Sequence, residues 1–197
     1  MGLFTLASGI AAHAEGFATT ASGASSHAEG FMTKATNATS HAEGFNTVAS
    51  GQQSHAEGNT TKASNNYSHA EGGNTLASGI GAHAEGLTST ASGNYSHAEG
   101  RTTKATGEYS HAEGSETIAS GIASHAEGFY TIADTSYQHV QGKFNATGSG
   151  ASMVIGNGTS LTDRNNLVEF HASKLIFDVN AFPTSSVSLS AGQFYRT

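Results

Sequence analysis

The tetrad His-Ala-Glu-Gly recurs at a strict step of 14 residues, beginning at His13, His27, His41, His55, His69, His83, His97, His111 and His125. The phase runs on through His139, where the tetrad reads His-Val-Gln-Gly, and Met153, where it reads Met-Val-Ile-Gly. Gly2 is in phase with Gly16, so residues 2–156 form one array of eleven units. A unit of this size cannot bury a core of its own, so it must stack on copies of itself, and that logic leads to a solenoid.

The second half of each unit repeats as well, as in Thr5-Leu6-Ala7-Ser8-Gly9, Thr47-Val48-Ala49-Ser50-Gly51 and Thr117-Ile118-Ala119-Ser120-Gly121. The consensus S-H-A-E-G-x-x-T-x-A-S-G-x-x has two short stretches, each closed by Gly or, at Asn37 and Asn65, by Asn. Both residue types tolerate left-handed backbone, so these closing positions are expected to be left-handed turns. A helix is excluded, because a Gly at about every seventh position would cost about 1 kcal/mol each relative to Ala. Two short strands and two tight turns per unit remain.

Strand side chains alternate between faces. Ser26 and Ala28 therefore share one face with His27 and Glu29 opposite, and Thr19 and Ala21 share one with Thr20 and Ser22 opposite. The small set Ser/Ala, Ala, Thr, Ala hardly varies along the array, whereas the residue after Thr runs Leu6, Thr20, Lys34, Val48, Lys62, Leu76, Thr90, Lys104, Ile118, Ile132. The small set is expected inside a coil too narrow for anything larger. That reading accounts for the composition. Leu, Ile, Val and Phe make up about 16% of the chain, which is too little for an ordinary core. Yet charged residues are only 12%, so the self-repulsion of a disordered chain is missing too. Ladders between coils about 4.8 Å apart would carry the order and give a rod of roughly 50 Å.

Composition closes off several functions. Lys plus Arg number 8 against 15 acids, with no basic run, so no nucleic-acid partner is expected. No apolar stretch approaches about 18 residues, which predicts no membrane insertion, and no charged-then-apolar leader opens the sequence. There is no Cys, so disulfides and thiolate metal sites are out.

On these residues the unit resembles the 14-residue head repeat of YadA-type trimeric autotransporter adhesins, whose pattern is S-V-A-I-G-x-x-S-x-A-x-G. The unit Ser152-Met153-Val154-Ile155-Gly156 reverts toward that apolar version. The His-Ala-Glu-Gly variant looks like segments of bacteriophage and prophage tail fibres or neck appendages. So do Gly156-Asn157-Gly158-Thr159-Ser160 with Arg164 and Asn166, and Pro183-Thr184-Ser185 with Ala191-Gly192-Gln193. The resemblance implies an all-β fold, a left-handed parallel β-roll that forms a homotrimer along its length. It further implies that the face occupied by Val and Ile in the adhesins meets neighbouring protomers. The trimer seam would then be His13, Glu15, His27, Glu29, His41, Glu43, His55, Glu57, His69, Glu71, His83, Glu85, His97, Glu99, His111, Glu113, His125, Glu127 and His139. His and Glu paired across such a seam would hold their stability down to about pH 4, where carboxylates take up protons.

The resemblance also implies a structural fibre segment, at a virion surface or an extracellular bacterial surface, with a host-cell surface glycan or protein as the outside partner. A catalytic pair needs two acids in different environments, whereas this array repeats one environment, so no enzymatic activity is expected. A metal site closes three or four ligands round one point, whereas the sequence presents an endless ladder, so neither metal nor cofactor is expected. Phe17, Phe31 and Phe45 are expected to stack as an apolar spine, and Tyr67, Tyr95 and Tyr109 likewise at the opposite turn. The sequons at Asn37, Asn59, Asn66, Asn94, Asn145 and Asn157 are read as turn asparagines. The period is lost from Leu161. Residues 157–197 are read as a β-rich cap or adaptor, with strands at Leu167–Phe170 and Lys174–Val179 and turns at Pro183 and Gly192.

Overall fold

The computed structural model describes residues 3–178 and is all-β over that span. Each 14-residue unit makes one coil with a strand on each of two sides. The short strands run from Leu6–Ala7 to Ile132–Ala133 and form a ten-stranded sheet. The strands that begin at His form a parallel sheet from His13–Phe17 to His139–Lys143, continued by Met153–Asn157. Register is strict: His27 lies over His13 and under His41, and Ala35 pairs with Ala21 and Ala49. The fold is thus a parallel β-solenoid of 14-residue coils.

The interior is as small as the repeat demands. The alanines of the two strand columns, Ala21 to Ala133 and Ala28 to Ala126, are almost wholly buried, and Thr19, Thr33, Thr47 and Thr61 are buried beside them. Ser26, Ser54, Ser96 and Ser110 are buried too, and each donates its hydroxyl to a carbonyl three residues earlier at 2.7 Å. That local bond satisfies a polar group that a narrow core could not otherwise tolerate. Val140 and Val154, the largest of the fully buried side chains, occupy the alanine column where the tetrad decays.

The turns correct one expectation. Every seventh residue from Phe4 to Phe144 is left-handed, and apart from Gly81 none of them is glycine, with φ between 41° and 62°. Gly16 and its equivalents also have positive φ, from 91° to 109°. The other closing column, with Gly9, Gly23, Asn37 and Asn65, does not. In that turn the left-handed residue lies two places further on, as at Ser25 and Thr39. Stacking imposes it: the left-handed N–H of Ser25 donates to the Ile10 carbonyl at 2.7 Å, and Met32 bonds Phe17 in the same way at 2.8 Å. The ladder therefore runs around the turns as well as the strands, which offsets a backbone cost of order 1 kcal/mol per left-handed residue.

The two sheets end differently. Met153–Asn157 pairs antiparallel with Asn166–Phe170, and that strand with Leu175–Phe177, so the longer sheet continues into a hairpin. Both expected strands are present, as Asn166–Phe170 and Leu175–Phe177, while the expected end of the second at Val179 and the expected turns at Pro183 and Gly192 lie outside the described residues. The short-stranded sheet is closed by a side chain. Asn145 is buried at the threonine position of the last unit; its amide oxygen accepts from Ile132 N–H at 2.7 Å and its NH₂ donates to the Ile132 carbonyl at 2.9 Å. Asn166 repeats the device one step outward, on Ala146 N–H at 2.7 Å and the Ala146 carbonyl at 3.1 Å. A carboxamide carries the same donor and acceptor as a peptide unit, so each asparagine stands in for the missing next coil. Asn145 is thus a sheet-closing residue, not the turn asparagine expected of its sequon.

Candidate functional site: the histidine–glutamate ladder

Because period and register coincide, every tetrad places His and Glu on the outward side of the same strand, and the side chains form two columns. Imidazole rings from His27 to His125 stack at 4.7–4.8 Å between centroids, nearly parallel. Each Nε2 points toward the carboxylate column. His55 lies 3.9 Å from both Glu43 of the preceding coil and Glu57 of its own. Towards the C-terminal end the ring favours the preceding coil, with His125 to Glu113 at 3.3 Å and His139 to Glu127 at 3.4 Å. Elsewhere the contacts are 3.4–4.0 Å, mostly beyond hydrogen-bond length. The Nε2 atoms of His27, His41, His55, His69, His83, His97 and His111 are buried without a hydrogen-bond partner, although about a third of each side chain is exposed.

Beside the carboxylates runs the Gly16 column. Without side chains it forms the floor of an open groove of about 970 Å³, lined by Glu15 to Glu85 and Gly16 to Gly86. The face is therefore an acidic furrow flanked by a wall of imidazole. Glu43, Glu57 and the other carboxylates have no Lys or Arg in their own column; Lys34, Lys62 and Lys104 belong to the opposite sheet, and Arg101 and Lys143 end strands of this one, with Arg101 paired to Glu116 at 3.2 Å. All the predicted seam residues thus lie in one continuous face of one chain.

Titration of this face follows its geometry. Burial pushes His69 below the ordinary imidazole range, helped by the charge of His83 and only partly countered by Glu71, Glu57 and Glu85. His111 is lowered by burial and by His125 and His97. A depressed folded-state pKa means that below about 6.5 the unfolded chain binds more protons, so stability is fully present above that value and is lost as pH falls through the folded pKa. Adjacent imidazolium rings 4.8 Å apart would repel by about 0.9 kcal/mol per pair even at the dielectric constant of water. The melting temperature is therefore expected to start falling just below about pH 6.5 rather than at the carboxylate limit near pH 4, because at His69 and His111 burial and the neighbouring imidazoles outweigh the nearby carboxylates. Thermal melts by circular dichroism across that range check this, and a profile flat down to about pH 4.5 would count against it.

Two further features differ from or extend the sequence reading. Phe17, Phe31 and Phe45 stack at 5.0 and 5.2 Å and nearly parallel, so each ring turns its face to its neighbour, as an apolar spine does. Tyr95 and Tyr109 stack at 5.5 Å, whereas Tyr67 is not part of the expected stack because Gly81 occupies the intervening place in its column. In the C-terminal hairpin, beyond the last repeat, Glu169 accepts from His171 at 2.9 Å and from Asn166 at 2.6 Å. Burial pushes the Glu169 carboxyl up, but those hydrogen bonds and the charges of His171 and Lys174 outweigh it and hold it below the ordinary carboxylate value.

No protein-family model matches the chain, and no curated protein matches it in sequence.

Proposed function

We propose that this chain is a rigid, non-enzymatic segment of a homotrimeric fibre, packed through the His/Glu face, and that its place is a phage tail fibre or appendage contacting a host-cell surface glycan or protein. The observation that carries this reading is the contrast between the two outward faces. The His/Glu face keeps one chemistry from His13 to Glu127, and the Nε2 atoms of seven of its imidazoles, from His27 to His111, are buried without hydrogen-bond partners. The outward row of the opposite sheet drifts among Leu6, Lys34, Val48, Lys62 and Ile118. A free surface has no reason to repeat itself, whereas a surface that meets its own copies must. The same packing would suit the head of a bacterial surface adhesin.

Light scattering after gel filtration is expected to give three times 20.0 kDa. A folded monomer at micromolar concentration would overturn the reading. A substitution sharpens the test. His83→Val with Glu85→Ile copies the pattern of Met153 and Ile155, which the chain already stacks in register on His139 and Gln141. Exchanging buried polar groups for apolar ones of similar volume is often neutral or stabilising. The double variant should therefore keep the trimer mass and melt within a few degrees of the parent or higher; dissociation to monomers would show that the two residues are needed as polar groups.

A further inference from the structure

The repeat as written offers an unbroken ladder, but the folded ladder closes local sets of donors. Glu29, His41 and Glu43 each offer a ligand atom, and these lie within 4.8 Å of one another. Glu43, His55 and Glu57 form the next such set, and His97, Glu99 and His111 another. We propose that the ladder is a chelating array for divalent transition cations of the zinc class, each ion held by imidazole and carboxylate donors from two successive coils.

Three observations carry the assignment. First, the donors face each other without being bonded. Seven Nε2 atoms are buried and unpartnered, and His55 is 3.9 Å from the nearer oxygen of either neighbouring carboxylate. Ligand atoms about 2.0–2.1 Å from a tetrahedral ion are themselves about 3.3 Å apart. The His–Glu gaps are thus too wide for direct hydrogen bonds and about half an ångström wider than in a loaded site, and the donors of a whole set, which lie within 4.8 Å of one another, close on an ion by rotation of the Glu side chains. Second, the imidazoles are held by stacking at 4.7–4.8 Å, so half the donor set is already in place. Third, the column of carboxylates has no Lys or Arg of its own, so a cation is the charge it lacks. Imidazole with carboxylate suits zinc, nickel and copper better than calcium or magnesium, which take oxygen-only shells.

Neighbouring sets share a carboxylate, as Glu43 does, and dications in adjacent coils would repel strongly. Nine tetrads supply nine carboxylates, so charge balance limits loading to alternate coils, about four ions per chain. Every donor in a set belongs to one chain, so this inference goes beyond the fibre reading and does not need the trimer.

The test is equilibrium dialysis of the chelator-stripped full chain against Zn²⁺ at neutral pH, with bound metal measured by elemental analysis. Co²⁺ in place of Zn²⁺ reports nitrogen and oxygen coordination through its visible spectrum. Saturable binding of about four ions per chain is expected. Gln141 already occupies the Glu position in its coil, so Glu57→Gln with Glu71→Gln and Glu85→Gln should preserve the fold and reduce the loading by about half. Should the triple variant not fold, Glu71→Gln alone should lose about one ion. Fewer than about one ion per chain in the parent would overturn the proposal, and so would undiminished loading in the Gln variants, because surface histidines would then act without the carboxylates. Molecular mass measured on the same samples separates the two readings: a monomer that loads metal sinks only the trimer, and a trimer that does not sinks only the chelation.

Discussion

Gly100→Ala, standing for any of the glycines in the Gly16 column, is expected to abolish folding or to cost about 4 kcal/mol or more. Two penalties coincide there. Gly100 has φ +105°, outside the range that side chains accept, and a Cβ on it would fall on the carbonyl oxygen of Gly114 in the next coil. Neither coil can yield, because Gly114 is itself stacked on Gly128 in the same way. Two controls separate the causes. Gly148 has φ +74° with nothing near the added atom, so Gly148→Ala should carry the strain alone, about 1 kcal/mol. Gly93 has ordinary φ and a crowded Cβ position. Its column, however, holds Asn37 and Asn65, where the side chain bonds the Ser50 or Ser78 carbonyl and the turn adjusts. Gly93→Ala should therefore be mild. Urea melts of the three variants that fail to rank Gly100→Ala far below the others would refute this account of the column.

The same columns show what a sequence of this kind reveals and what it hides. The period, the two strands and the inward set of Ala, Ser and Thr were legible because every unit repeats the same evidence, so a local ambiguity at one coil is settled by the next. The left-handed position at every seventh residue was not legible, because it is occupied by Phe4, Ala18, Met32, Glu116 and Tyr130 alike. No residue type marks it; stacking of one turn on another imposes it from outside the unit. Asn145, Asn166 and Gln138 act only where the repeat fails, so periodicity carries no information about them. Gln138 replaces the buried serine of its column and reaches both the Asp134 N–H, at 3.0 Å, and the Ala151 carbonyl, at 3.0 Å. The His and Glu columns were visible as rows, but their usefulness as donors lies in tenths of an ångström set by coil spacing and rotamer. Those distances exist only after folding.

Ala84→Leu should be the most damaging change in the apolar interior. Ala84 is fully buried, stacked between Ala70 and Ala98 in a column that is alanine from Ala28 to Ala126. Overpacking an ordinary core costs about 1–3 kcal/mol because neighbours shift or change rotamer. Alanine has no rotamer to change, and any outward movement of the wall would have to break ladder bonds on both sides, such as Glu71 N–H to the Ala84 carbonyl at 2.9 Å and Glu85 N–H to the Ala98 carbonyl at 2.9 Å. The cost should therefore exceed that range, reaching about 4 kcal/mol or more, with loss of the coils on either side. The chain supplies its own comparison, since the same column widens to Val140 and Val154 at its end. There the opposite side of the coil has changed as well: the short strand stops at Ile132–Ala133 and Asn145 stands in its place. Room for a larger side chain thus comes with release from the second sheet. Ala126→Val, next to Val140, should cost only about 1 kcal/mol. If Ala84→Leu and Ala126→Val unfold at the same urea concentration, the interior is looser than a closed ladder allows and the inward assignment of this column fails.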